Sequence, residues 1–499
     1  MHMATFMITA LATQATFVIA NTQAAPLIGD EGLDDLYWPL GVADNVGAAQ
    51  NHSLAISGYV PTWLVGKYFI GGPSLFTVGA RRLNHLFDGY ARLSAFTFDG
   101  TATVHFSSRL IDTQWYNSSV AAGDVTEDFL MNRTTPPRLS DRVPLLNLDG
   151  PNDNNIVMPL RMNDSTFWML SDSETRLELD PEGLRVKRTL YSARPNKPSD
   201  YSGDLEPDGY SCTIGTAHSL FHQPTGDLIS QMGCSHTTAF WKKDVVVVYR
   251  MRTSDPTRRI KIASFTPKSG VASYMHSFGL TDRFALFVEQ PIVFDMNAMM
   301  LGKSMIDGMP VDYSTPTFFH VVPLDGGPII TKPAPFSFTF NHVANAFEVN
   351  GTLVVDIFEI FRSAHLMVGG AFDIWLNKTR RDTEINFEAI RFTIPLVQNL
   401  PVVARGLLGR DVAMPCSGKS CDQLRLPKIH PAHQGHQYCF VYAMQTKWKG
   451  GPFACQSIVK VDVCAGLVQD LGSRSRGQYP HEVVFVPKPG ATHTRLPRM

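Results

Sequence analysis

The amino-acid sequence predicts a large all-β fold, namely a propeller, a barrel or a sandwich. Short runs of β-branched and aromatic residues recur along most of the chain, and each is bounded by Gly, Asp, Asn or Pro. The 31 Phe residues suit pleated sheets, and the 38 Gly and 33 Pro residues suit many tight turns. Long amphipathic helices are scarce, and the best helical candidate is the Met-rich segment 298–309. Many short strands with few helices are typical of these three architectures.

The predicted strands follow one another at short intervals. The clearest lie at 95–98, 103–106, 166–170, 245–249, 284–288 and 352–357. A weak repeat, in which a strand precedes a turn that ends in Gly, occurs at 177–183, 221–226 and 347–351. Such turns are typical of the hairpins in propeller blades. Since no linker or low-complexity segment interrupts the chain, we predict one β domain over residues 26–499.

Residues 1–25 resemble a secretory signal peptide. The segment is apolar, rich in Ala and Thr and free of acidic residues, although its only basic group is His2. We therefore expect a secreted protein, the alternative being a cytoplasmic protein associated with a membrane. Six N-x-S/T sequons, which also arise by chance, support glycosylation. They lie at Asn51, Asn117, Asn132, Asn163, Asn350 and Asn377.

The seven cysteines all lie at or after Cys212. Cys416 and Cys421 are close enough in sequence to bridge a small loop, and Cys212 with Cys234 is a second possible pair. The pairing cannot be read from the sequence, and buried free thiols are the alternative. The odd number leaves at least one thiol outside any disulfide of this chain.

Charge and motif patterns exclude several classes of function. The formal net charge is −1 and the isoelectric point is near 7.0, without a basic block, so we expect no nucleic-acid partner. The sequence has no G-x-S-x-G, H-E-x-x-H or Walker A motif, and no pair of carboxylates stands out as catalytic. Serine hydrolysis therefore has no support in the sequence.

Three histidines at the edges of strand-like runs are candidate metal ligands. His218, His276 and His342 are separated by 58 and 66 residues. These separations exclude a zinc knuckle or two ligands on one helix. They fit ligands that different blades of a propeller contribute to a common axis, the alternative being isolated histidines that are packed or lie at the surface.

A rival cluster consists of His430, His433 and His436. A spacing of three residues is compatible with chelation, but Pro431 and Gly435 disfavour a helix, so the rings would not share one helical face. We interpret the cluster as a polar surface loop, with a metal site as the alternative.

Motifs around the three candidate ligands resemble those of the carotenoid cleavage oxygenase family. The T-A-H sequence ending at His218, the Y-M-H-S-F-G-L-T sequence around His276 and the H-x-x-N-A-x-E pattern starting at His342 are similar to the family's ligand segments. Segments 61–79 and 85–89 resemble its N-terminal signature. The G-P-x-L-F-x-V-G form is similar to the animal branch, which contains β-carotene oxygenases and the retinoid isomerohydrolase of the retinal pigment epithelium.

The resemblance implies a seven-bladed β-propeller with a cap of loops and helices. In this family four histidines hold Fe(II) on the propeller axis, and the resemblance assigns His218, His276 and His342 to three of them, with no further catalytic residue. Neutral imidazole suits Fe(II), and a carboxylate on the far ring nitrogen fixes the tautomer and orientation. An apolar tunnel would admit a polyene and exclude water.

The carboxylates that orient these ligands are only partly present. The resemblance places Glu482 and Asp172 at two of the family's three glutamate positions, with Glu174 as a nearby substitute for Asp172. Asp is shorter than Glu, so we expect a small backbone shift at Asp172. The third glutamate belongs to an F-E-F-P-like segment, which reads L-R-L-P here. Arg425 stands in its place, accepts no hydrogen bond and opposes a metal cation, so we expect one ligand's orientation to be lost.

The C-terminus departs further from the family pattern. After residues 486–490 the family continues with an acidic turn, two strands and the fourth histidine, whereas this chain ends nine residues later. His493 is its last histidine and lies in no strand-like run, so we do not expect it to bind metal. We expect a truncated C-terminus, incomplete last strands and an iron site without its fourth ligand.

The resemblance implies a non-haem Fe(II)-dependent dioxygenase that uses O2 to cleave a conjugated double bond of a carotenoid or an apocarotenoid. Two alternatives stay open. A catalytically impaired propeller that binds carotenoid or retinoid would explain Arg425 and the missing ligand, and a retinoid isomerohydrolase would use the same histidines. Segment 291–309 lies where the family carries an apolar, membrane-facing patch, so we expect peripheral membrane contact there, with core packing as the alternative.

Overall fold

The computed structural model describes residues 42–490 apart from several internal segments. Those segments are 57, 127–129, 138–151, 194–197, 204, 237–241, 293–303, 363–369, 378–386, 398, 413–422, 447–455 and 474–479. Several predictions fall outside the described residues and stay predictions. They concern the signal peptide 1–25, His493, the pair Cys416–Cys421 and most of segment 291–309.

The first half of the chain forms three sheets and a short ribbon. Strands β1 (Ala49–Ala55), β2 (Val65–Leu75), β3 (Thr77–Val78), β4 (Arg81–Arg82), β5 (Tyr90–Asp99) and β6 (Thr103–Leu110) give sheet I, in the order β1-β6-β5-β2, and the ribbon β3-β4. Strands β7 (Met158–Arg161), β8 (Phe167–Leu170), β9 (Arg176–Asp180) and β10 (Arg185–Leu190) form sheet II in the order β10-β9-β8-β7. Strands β11 (Tyr210–Ile214), β12 (Leu220–Phe221), β13 (Leu228–His236), β14 (Val245–Arg252) and β15 (Asp255–Phe265) form sheet III, in which β12 pairs with β13 beside the path β11-β13-β14-β15.

The second half forms three more sheets, whose strands follow one another in chain order. Sheet IV contains β16 (Gly279–Leu280), β17 (Phe284–Glu289), β18 (Phe318–Pro323) and β19 (Ile330–Pro333). Sheet V contains β20 (His342–Val349), β21 (Thr352–Ile360), β22 (Glu388–Pro395) and β23 (Val403–Gly406). Sheet VI contains β24 (Leu424–Ile429), β25 (Phe440–Thr446), β26 (Gln456–Asp462) and β27 (Leu467–Ser473).

Helices are few and short in the described part of the chain. They are α1 (Gln114–Ala122), α2 (Phe372–Trp375) and two 3-10 turns at Leu86–Asp88 and Pro431–His433. The hydroxyl of Thr113 caps α1 by accepting the N–H of Tyr116, and Gly123 ends it with a φ of 64°. Among the described residues no helix has the length and apolarity needed to span a membrane.

The all-β prediction is confirmed, and so are the six predicted strand positions. These positions fall on β5, β6, β8, β14, β17 and β21. The hairpin between β20 and β21 shows why the turn prediction holds. Asn350 and Gly351 have φ values of 47° and 74°, and an Asn-Gly pair with two positive φ angles makes the tight turn whose twist matches the flanking strands.

The predicted number of seven blades is corrected to six for the part of the chain that the structure describes. Sheets II, IV, V and VI each join four consecutive strands side by side, which is the architecture of a propeller blade. Sheet I joins β1, β2, β5 and β6 in a four-stranded sheet, and sheet III adds the short β12 to a four-stranded path. The chain after β27 is irregular at 480–490 instead of forming a further strand. Pro480, Pro487 and Pro489 lack the N–H groups that a sheet ladder needs there.

The chain divides into two compact units. The first unit contains Ala43–Phe278 and Asp282–Thr331, and the second contains Gly279–Thr281 and the described residues from Lys332 onward. Sheets I to III lie in the first unit and sheets V and VI in the second. Each unit has its own buried core, around Trp168 and Tyr249 in the first and around Phe358 and Tyr438 in the second.

Among the described residues, one disulfide lies in each unit. Cys212 on β11 pairs with Cys234 on β13 in the first unit, which forms one of the two candidate pairs from the sequence. Cys439 pairs with Cys464 in the second unit, a pair that the sequence did not single out. Their separations of 22 and 25 residues mean that each disulfide closes a loop within a single sheet.

Candidate metal centre

The structure brings His218 and His276 together in the first unit. His218 lies in the loop between β11 and β12, and His276 lies in the irregular segment before β16. Their Nε2 atoms are 3.0 Å apart and the ring planes lie at 72°. Two nitrogen ligands bound at a right angle through bonds of about 2.1 Å are separated by about this distance. The pair therefore fits two ligands of one metal ion.

Asp172 holds both histidine segments in place. It follows β8, and its Oδ2 lies 2.8 Å from Nδ1 of His276. Its Oδ1 accepts a 3.0 Å hydrogen bond from the backbone N–H of Ala217, next to His218. The hydroxyl of Tyr274 donates to Oδ2 at 2.7 Å and lies 3.0 Å from Nδ1 of His276. The short aspartate side chain therefore reaches the imidazole.

The charge on Asp172 sets the tautomer of His276. Burial raises the pKa of the Asp172 carboxyl, but the contacts with His276 and Tyr274 lower it below its usual value overall. Burial and the neighbouring carboxylate raise the pKa of Tyr274 well above its usual value, so its hydroxyl remains a donor. An ionised carboxylate only accepts hydrogen bonds. His276 therefore carries a proton on Nδ1 and presents the lone pair of Nε2, as a metal ligand must.

The T-A-H motif has a structural reason for each of its residues. The hydroxyl of Thr216 donates to the carbonyl of His276 at 2.5 Å and accepts the N–H of His218 at 3.1 Å. Ala217 is fully buried, and its N–H binds Asp172. The motif therefore fastens the His218 loop to the segment that carries His276.

In the second unit a different carboxylate contacts the candidate ligand. His342 begins β20, and its Nδ1 donates to Oε2 of Glu359 on β21. Glu359 is 1% exposed. The Nε of Arg425 on β24 lies 3.6 Å from the other oxygen, Oε1. The Nε2 lone pair of His342 is thus available in the same tautomer as that of His276.

Of the remaining predicted carboxylates, Glu174 has other partners, and Glu482 has a lysine partner and is also affected by the charge of His342. Glu174 accepts hydrogen bonds from the Tyr249 hydroxyl at 2.8 and 3.0 Å and lies 3.4 Å from Arg259, and burial raises its pKa. It belongs to a buried ionic network of the first unit. Glu482 lies 2.7 Å from Nζ of Lys428. Burial raises the pKa of Glu482, but the charge of Lys428, its hydrogen bond and the charge of His342 lower it overall.

The rival histidine cluster forms a surface turn. His430 caps the 3-10 turn that follows it, because its Nδ1 accepts the N–H of Ala432 at 3.1 Å. The rings of His430 and His433 are 5.6 Å apart between centroids, and His436 is exposed. The capping contact of His430 and the exposure of His436 fit a polar surface loop.

The sequence did not reveal the roles of Glu359 and Tyr274. Glu359 lies in a strand whose other residues are mostly apolar, T-L-V-V-D-I-F-E-I, and an acid there was the available signal. Tyr274 lies two residues before His276, but its contact with Asp172 spans 102 residues of sequence. Arg425 stands where the resemblance places a glutamate, and at His342 another carboxylate, that of Glu359, contacts Nδ1.

Comparison with known proteins identifies a family and relatives that this chain resembles over most of its length. The model of the retinal pigment epithelial membrane protein family matches residues 44–494. The β,β-carotene 15,15'-dioxygenase of Gallus gallus is 26% identical over 481 residues, which cover 87% of this chain and 85% of that protein. The apocarotenoid-15,15'-oxygenase of Synechocystis is 26% identical over 443 residues, with 87% and 81% covered.

Solved structures show the same fold. A mutant of the Synechocystis apocarotenoid oxygenase superposes with a TM-score of 0.71 at 21% identity, covering 92% of this chain and 88% of that chain. The cobalt-substituted form of that oxygenase has a TM-score of 0.69 at 20% identity over the same shares of the two chains. At this level of identity the likeness shows the fold, which is the all-β propeller predicted from the sequence.

Proposed function

Because the chain belongs to the retinal pigment epithelial membrane protein family, which includes the carotenoid oxygenases, we propose that it is a non-haem Fe(II)-dependent dioxygenase. Its substrate is a carotenoid or an apocarotenoid, of which it cleaves a conjugated double bond. The observation that carries the proposal is the His218–His276 pair, with its Nε2 atoms 3.0 Å apart and its tautomer set by Asp172. The substrates named for the chicken and cyanobacterial relatives support this substrate class.

We propose that His218, His276 and His342 bind the iron. Neutral imidazole nitrogen is a common ligand of Fe(II). Two of the three rings donate Nδ1–H to a carboxylate, the partly buried Asp172 for His276 and the buried Glu359 for His342. A carboxylate on the far nitrogen is the usual outer partner of a metal-bound histidine, since it fixes the ring and raises its basicity.

Bound Fe(II) would supply the centre at which O2 reacts with the polyene. In the overall reaction one C=C bond and one O=O bond break and two C=O bonds form, so atoms and electrons balance without a further oxidant. No net proton transfer occurs, and the chain needs no acid or base. Its own residues hold the three rings neutral and oriented, and this task falls to Asp172, Tyr274 and Thr216 in the first unit.

The test is a product analysis with the full chain. The protein is loaded with Fe(II) without oxygen, and air is then admitted with β-carotene or an apocarotenal in detergent micelles. We expect two carbonyl products from each cleaved double bond, detected by chromatography and mass spectrometry, and none from protein kept metal-free with a chelator. Iron-loaded protein that yields no more carbonyl product than the metal-free sample would contradict the proposal.

Two further substrate arms separate the alternatives. Conversion of a retinyl ester and water to an isomerised retinol and a free fatty acid, without aldehyde or ketone products, would identify an isomerohydrolase. Saturable quenching by carotenoid or retinoid without any product, in a protein that holds iron, would identify a binding protein. Both outcomes would replace the dioxygenase assignment.

We also propose that the protein folds in the secretory pathway. The two disulfides support an oxidising compartment. Exposed asparagines in the sequons support glycosylation. They are Asn51, Asn117, Asn350 and Asn377. Expression in animal cells tests this proposal, since a mobility shift after glycosidase treatment is expected and an unglycosylated intracellular product would contradict it.

A further inference from the structure

Glu359 has an unusual backbone conformation for a strand residue. Its φ is 55°, in the left-handed region that residues with a side chain rarely adopt. The pairing of β21 with β22 sets three residue steps, from Ile357 to Ile360, opposite two steps, from Ile390 to Glu388. One extra residue is therefore accommodated in β21 as a β-bulge.

The bulge decides where the Glu359 carboxylate points. His342 is the cross-strand partner of Phe358, and successive residues of a regular strand face opposite sides of a sheet. In a regular strand Glu359 would therefore point away from His342. With the left-handed turn of the backbone its carboxylate accepts Nδ1–H of His342. Backbone strain of this kind persists where the surroundings enforce it, and it is concentrated at functional sites.

Arg425 supplies the charge that the buried carboxylate requires. An ionised carboxylate that is 1% exposed is costly unless it is paired. Oε2 of Glu359 binds His342, and Oε1 lies 3.6 Å from Nε of Arg425. One oxygen of the Glu359 carboxylate thus contacts the His342 ring, and the other faces the Arg425 cation. Arg425 of the L-R-L-P segment therefore has an acidic neighbour, Glu359, on β21.

We propose that Glu359 is the positioning carboxylate of His342, and that Glu359 and Arg425 together replace the single glutamate that the family resemblance expects at position 425. Glu359 fixes the Nδ1–H tautomer of His342, so that Nε2 carries the lone pair that a metal would take. Arg425, whose Nε lies 3.6 Å from the other carboxylate oxygen, holds the carboxylate in place. The inference rests on the proposed function, because that function supplies the metal. The orientation of the His342 ring does not depend on which substrate is bound.

The first test measures metal affinity by competition with a chromophoric chelator, with Co(II) in place of Fe(II). We expect Glu359→Ala to weaken binding by about 10- to 100-fold, the usual effect of removing an outer carboxylate. The double variant Glu359→Ala/Arg425→Glu returns a carboxylate to the family's position and is expected to recover most of the affinity. Wild-type affinity in folded Glu359→Ala, or no recovery in a folded double variant, would overturn the proposal.

A matched control removes another buried acid of sheet V. Glu388 is 2% exposed and forms ion pairs with Arg362 and Arg410. Glu388→Gln therefore perturbs a buried ion pair in the same unit without touching His342, and we expect unchanged affinity for Co(II). An equal loss in this variant would show that Glu359→Ala acts by general destabilisation, which would also overturn the proposal.

A double-mutant cycle tests Arg425 through thermal unfolding of the metal-free protein. Arg425→Met leaves the Glu359 carboxylate without its cation, so we expect it to lower the melting temperature more in the wild-type background than in the Glu359→Gln background. Equal effects in the two backgrounds would show that Arg425 does not hold Glu359.

A metal-free readout keeps the inference separate from the proposed function. Selective 15N-histidine labelling reports which nitrogen of His342 carries the proton, and His342→Asn assigns the signal. If the wild-type protein binds no metal, the proposed function fails, and this readout decides the inference alone. A defined Nδ1–H tautomer that is lost in Glu359→Ala supports it, and an unchanged tautomer overturns it.

Discussion

Each unit orients one histidine through a carboxylate at Nδ1, but the carboxylate and the groups that hold it differ between the units. In the first unit the carboxylate that contacts His276 is Asp172, in the loop after β8, and neutral donors from Ala217 and Tyr274 hold it. In the second unit it is Glu359, on a bulged strand, and the cation Arg425 lies beside it. The shared requirement is an acceptor at Nδ1, and it can be met from more than one position of the chain.

The difference has an electrostatic consequence. The negative charge of Asp172 is offset by hydrogen bonds from neutral groups, so it still attracts a cation bound to His276. The charge of Glu359 is offset by Arg425, whose cation lies 3.6 Å away. We therefore expect the carboxylate of the first unit to contribute more to metal affinity than that of the second.

The largest expected effect comes from removing a ligand of the first unit. His276→Ala deletes one of the two nitrogen atoms that lie 3.0 Å apart, and we expect loss of stoichiometric iron and of all carbonyl products. Iron is measured by atomic absorption after gel filtration. The control His236→Ala removes a histidine at the end of β13 that packs on Tyr210, and retention of iron is expected. A His276→Ala protein that keeps one iron per chain would contradict the assignment of this ligand.

The next effect tests the ranking of the two carboxylates. Asp172→Asn removes the charge and the acceptor that sets the tautomer of His276, and we expect a loss of about 100-fold in Co(II) affinity, the upper end of the range for such groups. Glu359→Gln is expected to lie at the lower end, about 10-fold, because Arg425 already offsets its charge. If folded Glu359→Gln loses more Co(II) affinity than folded Asp172→Asn, the ranking of the two carboxylates is wrong.

The strands and the histidines could be predicted from the sequence because their signals are local. Apolar runs bounded by turn residues located β5, β14 and β21, and an Asn-Gly pair located the hairpin before Thr352. The T-A-H motif is likewise a local pattern, since Thr216 and Ala217 fasten the loop that carries His218. Short-range patterns of this kind need no knowledge of distant contacts.

The carboxylate partners could not be predicted in full because they depend on long-range geometry. Asp172 was expected to reach the imidazole by a small backbone shift, which stays a prediction, and its Oδ2 lies 2.8 Å from Nδ1 of His276, 104 residues away in sequence. Glu359 was missed because strand periodicity turns it away from His342, and only its positive φ reverses that direction. A bulge depends on pairing with the neighbouring strand, so the sequence of β21 alone does not specify it.

A smaller effect comes from exchanging the lengths of the two carboxylates. Asp172→Glu adds a methylene in a loop that can adjust, whereas Glu359→Asp removes one from a strand held on both sides by β20 and β22. We expect Asp172→Glu to weaken Co(II) binding by less than about 10-fold, and Glu359→Asp to approach the effect of Glu359→Gln. A greater loss in Asp172→Glu than in Glu359→Asp would show that the first unit is the more rigid of the two.

The smallest expected effect on the metal comes from the disulfides, which also differ between the units. Cys212 and Cys234 are fully buried within the sheet that leads to His218, whereas Cys464 is exposed and Cys439 partly exposed. A mild thiol reductant should therefore open Cys439–Cys464 first, at a cost of about 3 kcal/mol of stability for a loop of this length, with metal affinity unchanged. Timed alkylation with mass spectrometry gives the order of reduction, and chelator competition gives the affinity. Early reduction of Cys212–Cys234 would contradict the order expected from exposure. Loss of metal when only Cys439–Cys464 is open would show that the second unit's disulfide supports the site.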